Sequence, residues 1–196
     1  MLSAVILLAD GTEEMEFTIT YDTLVRAGVA CCSAFVPAAN ASVERPYATG
    51  SRGIRIMYDA VFGDSKQFLP SSYDALVIPG GAKGAETMST NLTVQNLVRD
   101  FLAQDKIVGM ICAGGQAALT TKLPRQPLTS HPSVKAQLEN DFEYSEEPVV
   151  VSNKLVTSRG PGTAFPFALT LVELLCGADK RAEVRAPMVF PPNTPF

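Results

Sequence analysis

The sequence predicts an α/β domain in which helices cover both faces of a mostly parallel sheet. Three observations carry this. Short apolar runs alternate along the chain with helical stretches. Three of those runs stop at turns of small residues: Asp10-Gly11, Pro79-Gly80-Gly81 and Cys112-Ala113-Gly114-Gly115. A chain of 196 residues, 46% hydrophobic and 18% charged, is most simply one domain with a full core.

Leu2–Ala9 is the first buried strand, far too short to span a bilayer. A helix follows from Glu13 to Ala27, with Thr12 as its N-cap, acidic residues in its first turn and Gly28 as its stop. Phe17, Tyr21, Leu24 and Val25 form its apolar stripe, bordered by Glu16. Val29–Val36 is the second strand. Ser51–Asp59 alternates in a way that predicts a half-exposed antiparallel or edge strand. Asp74–Ile78 is a buried strand, followed by helices near Ala85–Met88 and Thr93–Gln104. Lys106–Ile111 is the next buried strand, and a helix follows Cys112 at once.

Ser133–Asn140 reads as a short helix. Val149–Ser152 and Lys154–Ser158 read as short strands joined at Asn153. Thr163–Cys176 is an apolar helix stopped by Gly177, with Pro166 in its tolerant first turn and Thr163 as its cap. Ala178–Arg185 is a last short helix. Four prolines make the remainder irregular, so the expected organisation is one domain over residues 1–189 and a Pro-rich tail over 190–196.

Net charge is −4, and no basic stripe exists to neutralise phosphates, which argues against nucleic acid as a partner. No basic segment precedes the first apolar run, so neither a signal peptide nor a membrane partner is expected. The expected residence is cytoplasmic, with nuclear access open to so small a protein. Four cysteines suit a reducing compartment, and adjacent Cys31 and Cys32 point to opposite faces of a strand. The sequons at Asn40 and Asn91 read as accidental. Gly80-Gly81-Ala82-Lys83-Gly84 has neither dinucleotide nor P-loop spacing. A single histidine leaves no metal-ligand cluster, so no metal and no cofactor are expected.

In such folds the site lies at the carboxyl ends of the strands. Cys112 stands there, between a strand and a helix, on a turn that glycines let bend tightly, as in a nucleophile elbow. A buried structural cysteine is the plain alternative. If the cysteine is reactive, backbone N–H groups and the helix dipole favour its thiolate. Glu16 is either a solvated helix-start carboxylate or a partly buried carboxyl that stays protonated and donates to the sulfur. Gly80 and Gly81 form either a simple tight turn or, with Ala113, an oxyanion hole. His131 lies in a loop, where a functional role is more plausible than for most lone histidines. Arg159 opens the Gly160-Pro161-Gly162-Thr163 loop and either supports it or binds an anionic or carbonyl group.

Five segments together resemble the ThiJ/PfpI superfamily, and closely its DJ-one (Parkinson-disease protein) branch. They are Leu8 to Glu16, Val77-Ile78-Pro79-Gly80-Gly81, Ile111-Cys112-Ala113-Gly114, Thr129-Ser130-His131-Pro132 and Thr157 to Thr163, in family order. The resemblance implies a flavodoxin-like three-layer sandwich that forms a homodimer. It implies Cys112 as nucleophile and Glu16 as its protonated partner, with Gly81 and Ala113 supplying oxyanion donors. His131 matches a histidine near the pocket; Arg52 and Arg159 match arginines near its mouth. Ala113 follows the cysteine and Pro132-Ser133 follow the histidine, which weakens protease and amidotransferase readings.

The resemblance implies a glutathione-independent glyoxalase that converts small 2-oxoaldehydes, methylglyoxal or glyoxal, to 2-hydroxy acids without a cofactor. Its alternatives are an oxidative-stress sensor or chaperone-like protein, or a protein deglycase, using the same cysteine.

Overall fold

The computed structural model describes residues 1–39, 41, 43, 45–63 and 65–196. The sequon at Asn40 lies outside the described residues. The strands are β1 (Ser3–Leu8), β2 (Ala30–Phe35), β3 (Tyr47–Thr49), β4 (Arg55–Met57), β5 (Ala60–Val61), β6 (Ala75–Ile78), β7 (Ile107–Ile111), β8 (Pro127–Leu128), β9 (Glu143–Tyr144), β10 (Val149–Ser152) and β11 (Leu155–Ser158). The helices are α1 (Glu14–Arg26), α2 (Ala82–Thr90), α3 (Leu92–Ala103), α4 (Gln116–Thr120), α5 (Lys135–Leu138), α6 (Ala164–Cys176) and α7 (Ala178–Arg185).

Seven strands form the central sheet in the order β10-β11-β7-β6-β1-β2-β5. All its pairings are parallel except β10 with β11, a hairpin turning at Asn153, whose φ is 52°. β1, β6 and β7 are buried almost throughout, which is why they read as continuous apolar runs. α1 and α6 pack together on one side, and α6 lies over β7. Gly109 makes that approach close, because a Cβ there would sit 2.9 Å from Phe167 Cζ. α2, α3 and α4 form the other layer. The result is a flavodoxin-like α/β sandwich.

Of the Ser51–Asp59 expectation only Arg55–Met57 is strand, and β5 lies just beyond it. β4 pairs antiparallel with β3 outside the main sheet, and β5 continues to the sheet's edge beside β2. α1 is capped by Glu13, whose carboxylate accepts from Glu16 N at 2.8 Å, and not by Thr12. The Thr12 hydroxyl accepts instead from Ala9 N at 2.9 Å, closing the strand-to-helix turn. The inner stripe of α1 also differs from expectation. Glu16, Thr20, Thr23 and Leu24 are buried beside Phe17, while Val25 is exposed. Short threonines let the helix lie close to its neighbours, and Thr20 Oγ1 donates to Glu16 O at 2.7 Å.

Asn91 caps α3, its side chain accepting from Thr93 N and Val94 N at 2.9 and 3.1 Å. The last residues fold back onto α6: Phe190 stacks edge-on against Phe165 and Phe196, and Arg185 Nε donates to the Phe196 carbonyl. No helix among the described residues is long and apolar enough to cross a membrane.

Candidate active site

β1, β6 and β7 are adjacent, so the turns after them meet at one rim of the sheet. The turn after β1 leads into α1 and delivers Glu16, the turn after β6 delivers Gly80 and Gly81, and β7 runs directly into Cys112.

Cys112 has φ of 61°, a left-handed conformation that L residues rarely hold outside strained sites. A four-residue 3-10 turn, Cys112–Gly115, follows before α4 begins. Gly114 makes the elbow possible: a Cβ there would meet the Ile78 carbonyl oxygen at 2.5 Å. The sulfur is mostly covered, the residue being 8% exposed, and accepts from the backbone N–H groups of Ala113 and Gly81.

Glu16 is completely buried. Its Oε2 accepts from Gly80 N at 2.7 Å, and its carboxyl hydrogen-bonds the Cys112 sulfur. Oε1 has no hydrogen-bond partner. A buried carboxylate oxygen without a donor is costly, whereas a protonated one is satisfied by donating to sulfur. Burial pushes the Glu16 carboxyl up to about 7. Burial, then the charge and hydrogen bond of Glu16, push the Cys112 thiol up to about 12, against the two N–H groups that lower it.

The expectation of a thiolate favoured by the helix therefore needs correction. The helix after the cysteine begins only as a tight turn, and desolvation outweighs its N–H groups. Ionising both groups in one dry site is prohibitive, so a reactive thiolate requires Glu16 to hold the pair's remaining proton.

Four site expectations come together around Cys112 and two do not. His131 lines the same cavity as Cys112, about 240 Å³ in volume, with Gly81, Ala113 and Arg52. Its Nδ1 accepts from Ser133 N at 3.2 Å and lies 2.8 Å from Ser133 Oγ, which leaves Nε2 to carry the proton of the neutral ring. Gly80 does not offer an oxyanion donor, because its N–H is taken by Glu16. Arg159 does not line the cavity: its guanidinium pairs with Glu146 and donates to the Glu146 carbonyl at 2.7 Å. Thr163 stands at the N-cap of α6 as expected, but its hydroxyl makes no capping bond to the helix; it accepts from Arg159 N and Gly160 N at 3.1 and 3.0 Å, bracing this loop.

Sequence reasoning missed Glu14. It is buried, its Oε1 accepts from Arg52 N at 2.5 Å and its Oε2 from Ser51 Oγ at 2.9 Å, so it fixes the loop that carries Arg52. Two acids adjoining Met15 looked alike in sequence, and only the loop after β3 distinguishes their tasks.

An α/β sandwich with an acid-paired cysteine on a strained elbow defines the class of this protein. The chain matches the DJ-1/PfpI family over residues 2–174 and belongs to that family. A protein of Schizosaccharomyces pombe named glutathione-independent glyoxalase DJ-1 is 36% identical over 92% of this chain and 94% of its own length. The Parkinson disease protein 7 homolog of Danio rerio is 36% identical over 95% of this chain and 96% of its own. The solved structure of Schizosaccharomyces pombe DJ-1 superposes with a TM-score of 0.89 at 35% identity, covering 97% of this chain and all of that one.

Proposed function

We propose that the protein is a glutathione-independent glyoxalase, turning small 2-oxoaldehydes into 2-hydroxy acids. The observation that carries this is the buried Glu16 carboxyl on the Cys112 sulfur, beside two backbone N–H donors. Likeness to a relative bearing that name supports it.

In this mechanism the Cys112 thiolate adds to the aldehyde carbon. A C–S bond forms and the carbonyl electrons move onto oxygen, which the Gly81 and Ala113 N–H groups stabilise. The oxyanion takes the proton from Glu16, giving a hemithioacetal and freeing a carboxylate. Glu16 then removes the hydrogen of that carbon while the neighbouring ketone oxygen is protonated, giving an enediol. His131 lines the cavity and is the candidate donor to that oxygen. Return of the proton from Glu16 to the second carbon, as the hydroxyl on the sulfur-bearing carbon gives its proton back to His131, yields a 2-hydroxy thioester. Water attacks it, the C–S bond breaks, and the 2-hydroxy acid leaves. One carbon is oxidised as its neighbour is reduced, so no external oxidant is required.

Lactate formation from methylglyoxal without glutathione tests this. Wild-type turnover, its loss in Cys112→Ser and a large fall in Glu16→Ala are expected; equal turnover by wild type and Cys112→Ser would refute it.

A second reading shares the sulfur. Oxidised to sulfinate, Cys112 would present oxygens to the Glu16 O–H and to the same N–H groups. Selective gain of two oxygens at Cys112 under mild peroxide supports it; oxidation spread over Cys31, Cys32 and Cys176 counts against it.

A homodimer is part of the proposal. Met15 and Val25 on the outer face of α1, with Ile54 and Met57 near β4, are large apolar side chains left in water. A second copy of the chain covering them accounts for that exposure. Sedimentation should give twice the monomer mass, and Met15→Glu should reduce it.

A further inference from the structure

The Cys112 cavity shares Ser51, Arg52 and Ala82 with a second cavity of about 580 Å³ that the mechanism leaves unused. The smallest 2-oxoaldehydes do not need it. Methylglyoxal has five heavy atoms and takes the room of a few waters, roughly 100 Å³ at about 30 Å³ each. The cavity at the cysteine alone, about 240 Å³, is sufficient.

The larger cavity is positively charged in a protein of net charge −4. Its charged residues are Arg45, Arg52, Lys83 and one carboxylate, Asp10. Asp10 is spoken for: it accepts from Arg45 Nη2 at 2.5 Å and from Thr49 N at 2.9 Å. Arg52 Nη1 meets only neutral acceptors, the Ser51 carbonyl and hydroxyl, both at 3.3 Å. No carboxylate among the described residues forms an ion pair with Arg52 or Lys83.

Both cations are held from below. Glu14 fixes the Arg52 backbone. The stem of Lys83 lies against Gly11, where φ is +88° and an added Cβ would come within 2.7 Å of Lys83 Cβ. Arg52 belongs to both cavities, so an anion bound beside it and Lys83 lies next to the reacting centre.

We propose that this second cavity binds an anionic tail of the substrate, so that the preferred substrates are 2-oxoaldehydes ending in a carboxylate or a phosphate. The aldehyde reacts at Cys112 while the tail rests between Arg52 and Lys83. The substrate class rests on the glyoxalase reading; the anion site does not.

Two measurements separate them. The first compares alkylation of Cys112 by iodoacetate and by iodoacetamide, reagents of similar size that differ in charge, read by peptide mass mapping. At low salt, the iodoacetate-to-iodoacetamide rate ratio is expected to fall at least about 5-fold in Lys83→Met and in Arg52→Met, and to fall in wild type as salt is raised. A ratio unchanged in both variants overturns the site, whatever the turnover assays give. The second compares kcat/KM for 4,5-dioxopentanoate, for a phosphate-ended 2-oxoaldehyde and for methylglyoxal. Preference for either tailed substrate, lost in Lys83→Met, supports the substrate class and tells carboxylate from phosphate. No preference for either overturns that class. Absence of turnover on all three, with the alkylation ratio intact, refutes the glyoxalase reading and upholds the anion site.

Discussion

The carboxyl of Glu16 lies against the sulfur of Cys112 from a fully buried position. Burial raises the Glu16 carboxyl from 4.5 to about 7. The folded protein thus holds a proton that the unfolded chain releases in this window. The associated stability is full below about pH 4.5 and is lost as pH rises through about 7. Glu16→Gln does not titrate, so its stability relative to wild type should rise between pH 5 and pH 8, by up to about 3 kcal/mol. Urea unfolding at the two pH values measures this; a difference independent of pH would refute it.

The left-handed backbone at Cys112 makes a separate prediction. Glycine adopts this conformation freely, while an L residue there loses roughly 1–2 kcal/mol. Cys112→Gly should therefore be about 1 kcal/mol more stable than Cys112→Ala, reversing the usual preference for alanine. Chemical denaturation of the two variants decides it.

Gly80 should tolerate no side chain. A Cβ there would lie 2.5 Å from Cys112 Cβ, 2.6 Å from Glu16 Oε2 and 2.9 Å from Cys112 Sγ. Gly80→Ala should destabilise the protein by about 1–3 kcal/mol through overpacking and should abolish turnover by parting the acid from the sulfur. Thermal melting and lactate formation on the same sample test both halves.

Glu14 is a positioning residue. Its ionised carboxyl, kept below the ordinary range by its hydrogen bonds despite burial, holds the Arg52 and Ser51 loop. Glu14→Gln should raise KM severalfold with a smaller change in kcat, because it loosens the cavity wall and leaves the Glu16–Cys112 pair in place. An equal fall in kcat and kcat/KM would argue against this role.

The layered architecture and the elbow follow from the order of residues along the chain. β1, β6 and β7 were legible because strands buried on both faces must be apolar throughout, and Cys112 because glycines crowd a strand-to-helix turn. Asn153 and Gly177 marked their turns because both need a left-handed or otherwise permissive backbone. What the sequence could not settle was set by contacts between distant segments.

Gly80 and Gly81 look equivalent in sequence, yet the Gly80 N–H goes to Glu16 and the Gly81 N–H to the sulfur. Arg159 looked free to meet a ligand until β9 and its following loop brought Glu146 to it. On α1, Phe17 and Leu24 face inward as apolarity predicts, but Val25 is exposed and Thr20 and Thr23 are buried, because closeness of packing favours threonine. The Cys112 thiol was expected to be acidic from its place before a helix. Only the tertiary structure buried it against Glu16, and in a dry site the desolvation of a charge and the field of a neighbouring carboxylate outweigh two backbone N–H groups.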